Sequence, residues 1–157
     1  MPIDDQLAIV GRLALAALLG AFMGLEREIR GYPAGVRTIA LVAMGSTLFT
    51  EISNITGEED RIAAGIVTGI GFLGAGVIFR EGYTVRGITT AATIWSAAAV
   101  GMAIGRELYL VAGLSSIIVF ILLEARPVVR RMDDVVRERL REAAAHEEQS
   151  EGRGHDG

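Results

Sequence analysis

Apolar residues of this chain fall into five blocks separated by short charged segments. Three of the blocks contain uncharged runs of 18, 19 and 16 residues, at 62–79, 87–105 and 108–123. A helix that crosses a bilayer needs about 20 mostly apolar residues, so the first two runs are long enough by themselves. The third is long enough when the charged side chains at its ends reach the headgroups.

The two earlier blocks are weaker, because 13–25 and 38–50 each hold only 13 uncharged residues. The first reaches spanning length if the helix starts near Gln6 and includes Arg12. A soluble core helix is the alternative for each of these two blocks. Five consecutive apolar blocks leave little sequence for a soluble domain. We therefore predict an all-α membrane bundle of five transmembrane helices, at 6–25, 37–53, 62–79, 87–105 and 107–124.

The distribution of arginines predicts the orientation of the bundle, because basic segments mark the cytoplasmic side. The residues before the first block carry Asp4 and Asp5 and no basic side chain, whereas segment 26–37 carries three arginines and the chain after Glu124 carries seven. Basic and non-basic segments alternate in between. This pattern predicts an outside N-terminus and a cytoplasmic C-terminus, since four spans would place one basic segment on the wrong side.

The C-terminal segment has a different pattern. Apolar residues between Val128 and Ala143 recur at three- and four-residue spacing, with arginines and carboxylates between them. This spacing is typical of an amphipathic helix, which either lies on the inner membrane surface or pairs with another helix. After Gln149 the composition predicts disorder. The predicted domains are a transmembrane domain, a cytoplasmic amphipathic helix and a disordered tail, at 1–125, 126–148 and 149–157.

Glycine is unusually frequent, with 20 residues in 157. In a bilayer the helix satisfies the backbone polar groups, and the missing side chain of glycine lets two helices approach closely. We predict helix packing, with local unwinding as the alternative in the third block, at Gly20, Gly24, Gly65, Gly69, Gly71, Gly74, Gly76, Gly101 and Gly105. The run 69–74 also matches the letters G-x-G-x-x-G, but it lies inside an apolar block rather than between a strand and a helix, so no dinucleotide cofactor is expected.

Charged side chains gather at the predicted cytoplasmic helix ends. They are Glu26, Arg27, Glu28, Arg30 and Arg37, followed by Arg80, Glu81 and Arg86. We predict that they form an ion-pair cluster between the two helical hairpins, which holds the halves in register or offers a regulatory contact. Charges that merely orient the helices are the alternative. Glu28 and Glu81 occupy matching positions in a weak internal echo between 19–38 and 73–89, which would place a pseudo-two-fold axis along the membrane normal.

Two further sets of polar residues are weaker candidates. The fourth block begins with hydroxyl groups that either pack inside the bundle or line a substrate path, at Thr89, Thr90, Thr93 and Ser96. Glu58, Glu59 and Asp60 form an acidic turn that offers carboxylate oxygens to Mg²⁺. The favoured interpretation of this turn is that its charges stabilise the positive end of the third helix.

Catalytic chemistry is not expected. The chain contains no cysteine, and its two histidines lie in the C-terminal tail at His146 and His155. We therefore predict that the protein is not an enzyme and uses no cofactor. The expected partners are membrane lipid, other membrane proteins and a second copy of the chain, and no nucleic acid.

Four sequence motifs resemble the MgtC/SapB family. They are Gly-Leu-Glu-Arg-Glu at 24–28, Gly-Val-Arg-Thr at 35–38, Gly-Ile-Gly-Phe-Leu-Gly-Ala-Gly-Val-Ile-Phe-Arg-Glu-Gly at 69–82 and Val-Arg-Gly-Ile-Thr-Thr-Ala-Ala-Thr-Ile-Trp at 85–95. The resemblance extends over roughly residues 7–125. It implies a multi-pass protein of the bacterial inner membrane that is linked to growth under magnesium limitation. Some members of the family are thought to restrain the F-type ATP synthase rather than to carry Mg²⁺.

The resemblance also matches single residues. Glu81 corresponds to the acidic residue of the family's Arg-Glu-Gly turn, and Thr89 and Thr90 to its threonine-rich helix start. Longer members add a soluble C-terminal domain, which this chain replaces by a short charged segment. We expect a regulatory protein that acts through helix contacts with other membrane complexes. The alternatives are a small Mg²⁺ transporter or channel component with a path between the two hairpins, and a lipid- or scaffold-binding protein.

Overall fold

Five α-helices and a short β-hairpin make up the described part of the chain, residues 1–81 and 84–125 of a computed structural model, with Glu81 described by its backbone alone. The helices are α1 (Ile3–Ile29), α2 (Val36–Thr56), α3 (Glu59–Gly76), α4 (Ile88–Gly105) and α5 (Tyr109–Glu124). The strands are β1 (Phe79–Glu81) and β2 (Thr84–Arg86). The five helices confirm the predicted helical fold and lie at the five predicted blocks.

The third helix ends earlier than the sequence predicts. We expected helix through residue 79, but α3 ends at Gly76 and the chain turns into an antiparallel hairpin in which Phe79 pairs with Arg86. The prediction of helix at 77–79 is therefore wrong, and the all-α class omits this hairpin. Its β-branched and aromatic residues favour the extended conformation. After β2, Gly87 has a φ of 92° and passes so close to the end of α3 that a Cβ there would overlap the carbonyl oxygen of Val77.

The chain divides into two units, Met1–Ile121 and Leu122–Gly157, and the helices pack on one another within the first. Its centre is formed by α1, α2 and α4, with α3 packed on α2 and α4. Large side chains that are almost fully buried fill this centre, among them Met23, Ile39, Ile94 and Ile104. α5 approaches α1 through side chains, since the rings of Phe22 and Phe120 stack with centroids 4.5 Å apart.

Three of the helices, α1, α2 and α4, are long and apolar enough to cross a membrane. α5 is apolar but has only 16 residues, and α3 begins with the charged residues of its first turn. The outer surface is strongly apolar, with Phe72 83% and Leu110 76% exposed. These properties make the chain a membrane protein. Five spans and the outside N-terminus stay predictions, and the predicted amphipathic helix and tail lie outside the described residues.

Candidate functional site

α2 and α4 cross in backbone contact. A Cβ added at Gly101 would overlap the carbonyl oxygen of Ala43 and lie 3.0 Å from the Cβ of Ser46. The hydroxyl of Thr47 lies 2.8 Å from the carbonyl oxygen of Gly101 and 3.0 Å from that of Ala43, so one O–H group bridges the two helices. One turn further along, a Cβ at Gly105 would lie 2.6 Å from the Cβ of Thr50. Backbone contact therefore holds the two predicted hairpins together.

Glycine also sets the contact between α1 and α2. A Cβ at Gly20 would lie 2.7 Å from the carbonyl oxygen of Ile39, and one at Gly24 would lie 2.8 Å from the Cα of Val36. Gly74 has a looser contact, 3.5 Å from the Cβ of Ala91 in α4. The other predicted packing glycines meet nothing within 4 Å in the described chain, namely Gly65, Gly69, Gly71 and Gly76. Among the nine predicted packing glycines, those without a contact in one copy therefore all lie in α3.

Two charged residues are buried at the C-terminal end of α1. Glu26 is 2% and Arg27 is 3% exposed. A guanidinium N–H of Arg27 donates to the hydroxyl of Thr90 in α4, and its second terminal nitrogen lies 3.7 Å from the Glu26 carboxylate. Arg30 adds an ion pair to Glu26 at 3.2 Å, and the ring of Tyr32 lies 3.8 Å beneath the Arg27 guanidinium. We call these five residues the Arg27 cluster.

The Arg27 cluster gives the buried guanidinium several kinds of partner. A buried cation without compensation costs several kcal/mol, and the carboxylate, hydroxyl and aromatic face each reduce that cost. The contact from Arg27 to Thr90 also joins the first hairpin to the second, through a hydroxyl group rather than an ion pair. The sequence indicates Arg27 and Thr90 as two separate candidates. Their pairing depends on the rotation of α1 against α4, which one sequence does not specify.

The other charged candidates at this end have separate positions. The Glu28 carboxylate accepts a hydrogen bond of 3.0 Å from the backbone N–H of Val36, so it caps the start of α2. Arg37 is exposed on the first turn of α2, and Arg86 is exposed at the end of β2. Glu81 lies on β1, where the structure describes only its backbone. The predicted ion-pair cluster across the hairpins stays a prediction for these residues.

Removal of the Glu28 cap is expected to destabilise the first hairpin. Glu28→Ala leaves an amide of the first turn of α2 without this acceptor, and loss of such a cap costs about 1 kcal/mol. The matched control is Glu28→Gln, which keeps a side-chain oxygen at the same reach. The midpoint of thermal unfolding in detergent should fall for the alanine variant and change much less for the glutamine variant. Equal midpoints for Glu28→Ala and the unmodified chain would contradict the cap.

The hydroxyl groups at the start of α4 do not share one environment. Thr90 and Thr93 are buried, Thr89 is exposed and Ser96 is intermediate. Thr93 and Ser96 donate to carbonyl oxygens one turn earlier in α4, at 2.8 Å and 2.9 Å. These four residues therefore do not line one common surface, and the predicted substrate path gains no support from their arrangement.

A second charged network lies at the opposite end of α1. Arg12 donates to the Glu51 carboxylate of α2 at 2.7 Å, pairs with Glu107 at 2.8 Å and donates to the hydroxyl of Tyr109 at 3.1 Å. Glu51 is only 4% exposed. These four residues, the Arg12 network, join α1, α2 and the segment that enters α5. The sequence did not predict this network, although an arginine inside an apolar block is a signal of functional or structural pairing.

The acidic turn before α3 is engaged in ion pairs. Glu58 pairs with Arg61 at 2.7 Å, and Glu59 pairs with Arg106 of the α4–α5 turn at 2.5 Å. Asp60 is exposed. Among residues 1–81 and 84–125, no group of three or more His, Cys, Asp or Glu side chains could hold a metal ion. The weak metal prediction for this turn therefore gains no geometric support.

Comparison with known proteins identifies the family. A sequence profile of the MgtC family matches residues 13–132. The chain belongs to the MgtC family. This assignment confirms the resemblance carried by the glycine-rich and Arg-Glu-Gly motifs. No solved structure matches the chain significantly.

Several curated relatives are similar to the chain. It is 48% identical over 113 residues to the uncharacterized protein slr0014 of Synechocystis, a match that covers 70% of the chain and 48% of that protein. It is 45% identical over 125 residues to protein MgtC of Brucella abortus, covering 77% of the chain and 52% of the relative. It is 55% identical over 96 residues to protein MgtC of Salmonella typhimurium, covering 59% and 41%. The chain thus spans about half the length of the curated relatives it matches.

Proposed function

We propose that this member of the MgtC family is a regulatory protein of the bacterial inner membrane, linked to magnesium limitation and membrane energy homeostasis. It acts through contact between its helices and those of other membrane complexes, with the F-type ATP synthase as the first candidate. In this role the chain spans the membrane five times and exposes its N-terminus outside. Family membership supports the biological setting, and the geometry of the bundle supports the mode of action.

The observation that carries the mode of action is the close contact between α2 and α4. At Gly101 the two backbones leave no space for a Cβ, and the Thr47 hydroxyl bridges them. An ion path between the two hairpins would have to separate these backbones and break the bridge. By contrast, only Ile66 and Gly74 of the 18 residues of α3 are buried, so this helix presents most of its surface outward. The contact between α2 and α4 thus leaves no path between the hairpins of the described chain, whereas the exposed surface of α3 is available for contact with other proteins.

The second candidate function is transport of Mg²⁺ or another ion. Buried ionisable groups inside membrane helices usually mark ion or proton pathways. Glu51 at one end of the bundle and Glu26 at the other are both nearly inaccessible, as is Arg27. A pathway between them would use carboxylates that the regulatory role treats as structural supports. This candidate predicts transport by the purified chain without any other protein.

A flux measurement with the full-length chain separates the two functions. We expect proteoliposomes that contain the chain alone to take up Mg²⁺ no faster than empty liposomes, with an ionophore added at the end to verify the indicator. We also expect the chain to co-isolate with another membrane complex when it is extracted from its native membrane. Saturable Mg²⁺ uptake that disappears in Glu51→Gln would reject the regulatory role and support transport.

A further inference from the structure

An apolar groove lies between α2 and α3. It has a volume of about 680 Å³ and is lined by apolar side chains and glycines, among them Leu41, Gly45, Phe49, Ile62, Gly65 and Gly69. Both walls belong to helices of the membrane bundle. An occupant of this α2–α3 groove must therefore be apolar and must reach it from within the bilayer.

The glycines of the groove face open space. A Cβ built on Gly45, Gly65 or Gly69 meets nothing within 4 Å in the described chain. Glycines at the internal helix crossings behave differently, since a Cβ at Gly20 or Gly101 would contact backbone at 3.0 Å or less. Gly65 and Gly69 are four residues apart on one helix face, which is the spacing that allows two membrane helices to approach closely. The groove has the surface of a helix crossing without the second helix.

A buried hydroxyl group supplies an independent indication of an occupant. Ser46 lines the groove and is only 3% exposed, and among the described residues its hydroxyl takes part in no hydrogen bond. The neighbouring buried hydroxyls of Thr47 and Thr50 each donate to a backbone carbonyl. A lipid acyl chain offers no hydrogen-bonding group to Ser46. A polypeptide helix does, through a side-chain hydroxyl such as that of Thr68, which is exposed on α3.

The charges at the mouth of the groove indicate which helix enters. Arg61 lines the groove at the start of α3, next to the acidic residues Glu58, Glu59 and Asp60. The three carboxylates outnumber the two guanidiniums beside them, because Arg61 pairs with Glu58 and Arg106 pairs with Glu59, so the turn repels the phosphate of an anionic lipid. Its charges are complementary to a second copy of the same turn, because two parallel copies of α3 place Arg61 of each at the level of Asp60 of the other. Asp60 is exposed and forms no ion pair with a described residue.

We propose that the α2–α3 groove is a homodimer interface, in which α3 of a second copy enters the groove in parallel. A two-fold axis along the membrane normal makes this contact self-complementary, so each α3 packs against the groove of the other copy. Gly65 and Gly69 of the two copies then meet at the crossing. The inference concerns assembly and goes beyond the proposed regulation.

Disulfide cross-linking tests this arrangement directly, because the natural chain contains no cysteine. Gly65→Cys places a thiol at the expected crossing. The matched control is Val67→Cys, which lies at nearly the same depth but about 200° around α3 and is 44% exposed. Oxidation in membranes should link Gly65→Cys into a dimer and leave Val67→Cys monomeric. Monomer for both variants, or equal dimer for both, would overturn the proposal.

Filling the groove tests the same interface without oxidation. The double variant Gly65→Leu, Gly69→Leu should weaken dimerisation at least about tenfold, measured by energy transfer between labelled copies in liposomes of fixed protein density. Its thermal midpoint should not fall, because the added side chains point into open space. Unchanged dimer affinity, or a monomer that retains phospholipid in native mass spectrometry, would overturn the proposal. Neither flux nor co-isolation enters these readouts, so the dimer and the regulatory role can fail separately.

Discussion

Gly101→Leu is expected to destabilise the bundle by about 3 kcal/mol, the largest effect we expect from a single change at a glycine. The new side chain has no space, because a Cβ alone would overlap the Ala43 carbonyl oxygen and lie 2.9 Å from its carbonyl carbon. The contacting atoms belong to the backbone of α2, so they yield only if the whole helix moves. Such a movement also breaks the bridge from Thr47 to the Gly101 carbonyl, which contributes about 1 kcal/mol.

The control for Gly101→Leu is the same substitution at Gly11. Gly11 lies on α1, is exposed and meets nothing within 4 Å of an added Cβ. Unfolding free energies in mixed micelles, obtained by titration with a denaturing detergent, should fall strongly for Gly101→Leu and remain near the natural value for Gly11→Leu. Gly101→Ala should give an intermediate loss. Equal stability of the two leucine variants would show that α2 and α4 do not cross in contact.

The sequence of a membrane protein predicts the number of helices better than it predicts the role of each glycine. The existence of five helices follows from apolar runs, because the bilayer leaves the backbone few other ways to satisfy its hydrogen bonds. The roles of individual glycines depend on which face of each helix meets a neighbour. Gly101 and Gly69 have the same chemistry and similar surroundings in sequence, yet one touches backbone and the other faces open space. The rotation of each helix about its axis determines whether a glycine contacts a neighbouring helix. That rotation depends on all the contacts in the bundle together.

The end of α3 was mispredicted for a related reason. The residues Val77, Ile78 and Phe79 are apolar, so the length of the uncharged run assigned them to the membrane helix. They are also residues with high strand propensity, and the hairpin pairs Phe79 with Arg86 across a distance of seven residues. A run of apolar residues indicates that a segment lies in an apolar environment, but it does not distinguish a short helix from a strand.

The buried charges were the least predictable part of the candidate sites. Glu51 lies inside the predicted span 37–53, and nothing in the sequence singled it out as a buried charge. It is buried because Arg12, 39 residues away, compensates its charge. Glu26 and Arg27 are buried in the same way at the other end of α1. Burial of an ion depends on its partner, and that pairing is visible only in three dimensions.

Arg12→Met is expected to destabilise the bundle by about 3–5 kcal/mol, because it removes a cation from beside a carboxylate that remains buried. Glu51 is 4% exposed, and the ion pair with Arg12 is the contact that compensates its charge. Glu51→Met should cost less, since Arg12 keeps Glu107 and the hydroxyl of Tyr109. The double variant Arg12→Met, Glu51→Met leaves no unpaired buried charge, because the other carboxylate that loses Arg12, that of Glu107, is 61% exposed. It should therefore be more stable than Arg12→Met alone.

The control for this cycle is the pair Glu58 and Arg61, whose side chains are 48% and 79% exposed. Exposed pairs contribute about 0.2–1 kcal/mol, so Arg61→Met should leave the unfolding free energy nearly unchanged. The measurement is the same detergent titration for the four members of the Arg12–Glu51 cycle. If the two single losses simply add in the double variant, the two side chains do not interact and the Arg12 network does not hold α1 to α2. If Arg12→Met, Glu51→Met is more stable than Arg12→Met alone, the difference comes from the buried carboxylate of Glu51. Every other contact of Arg12 is absent from both of these variants.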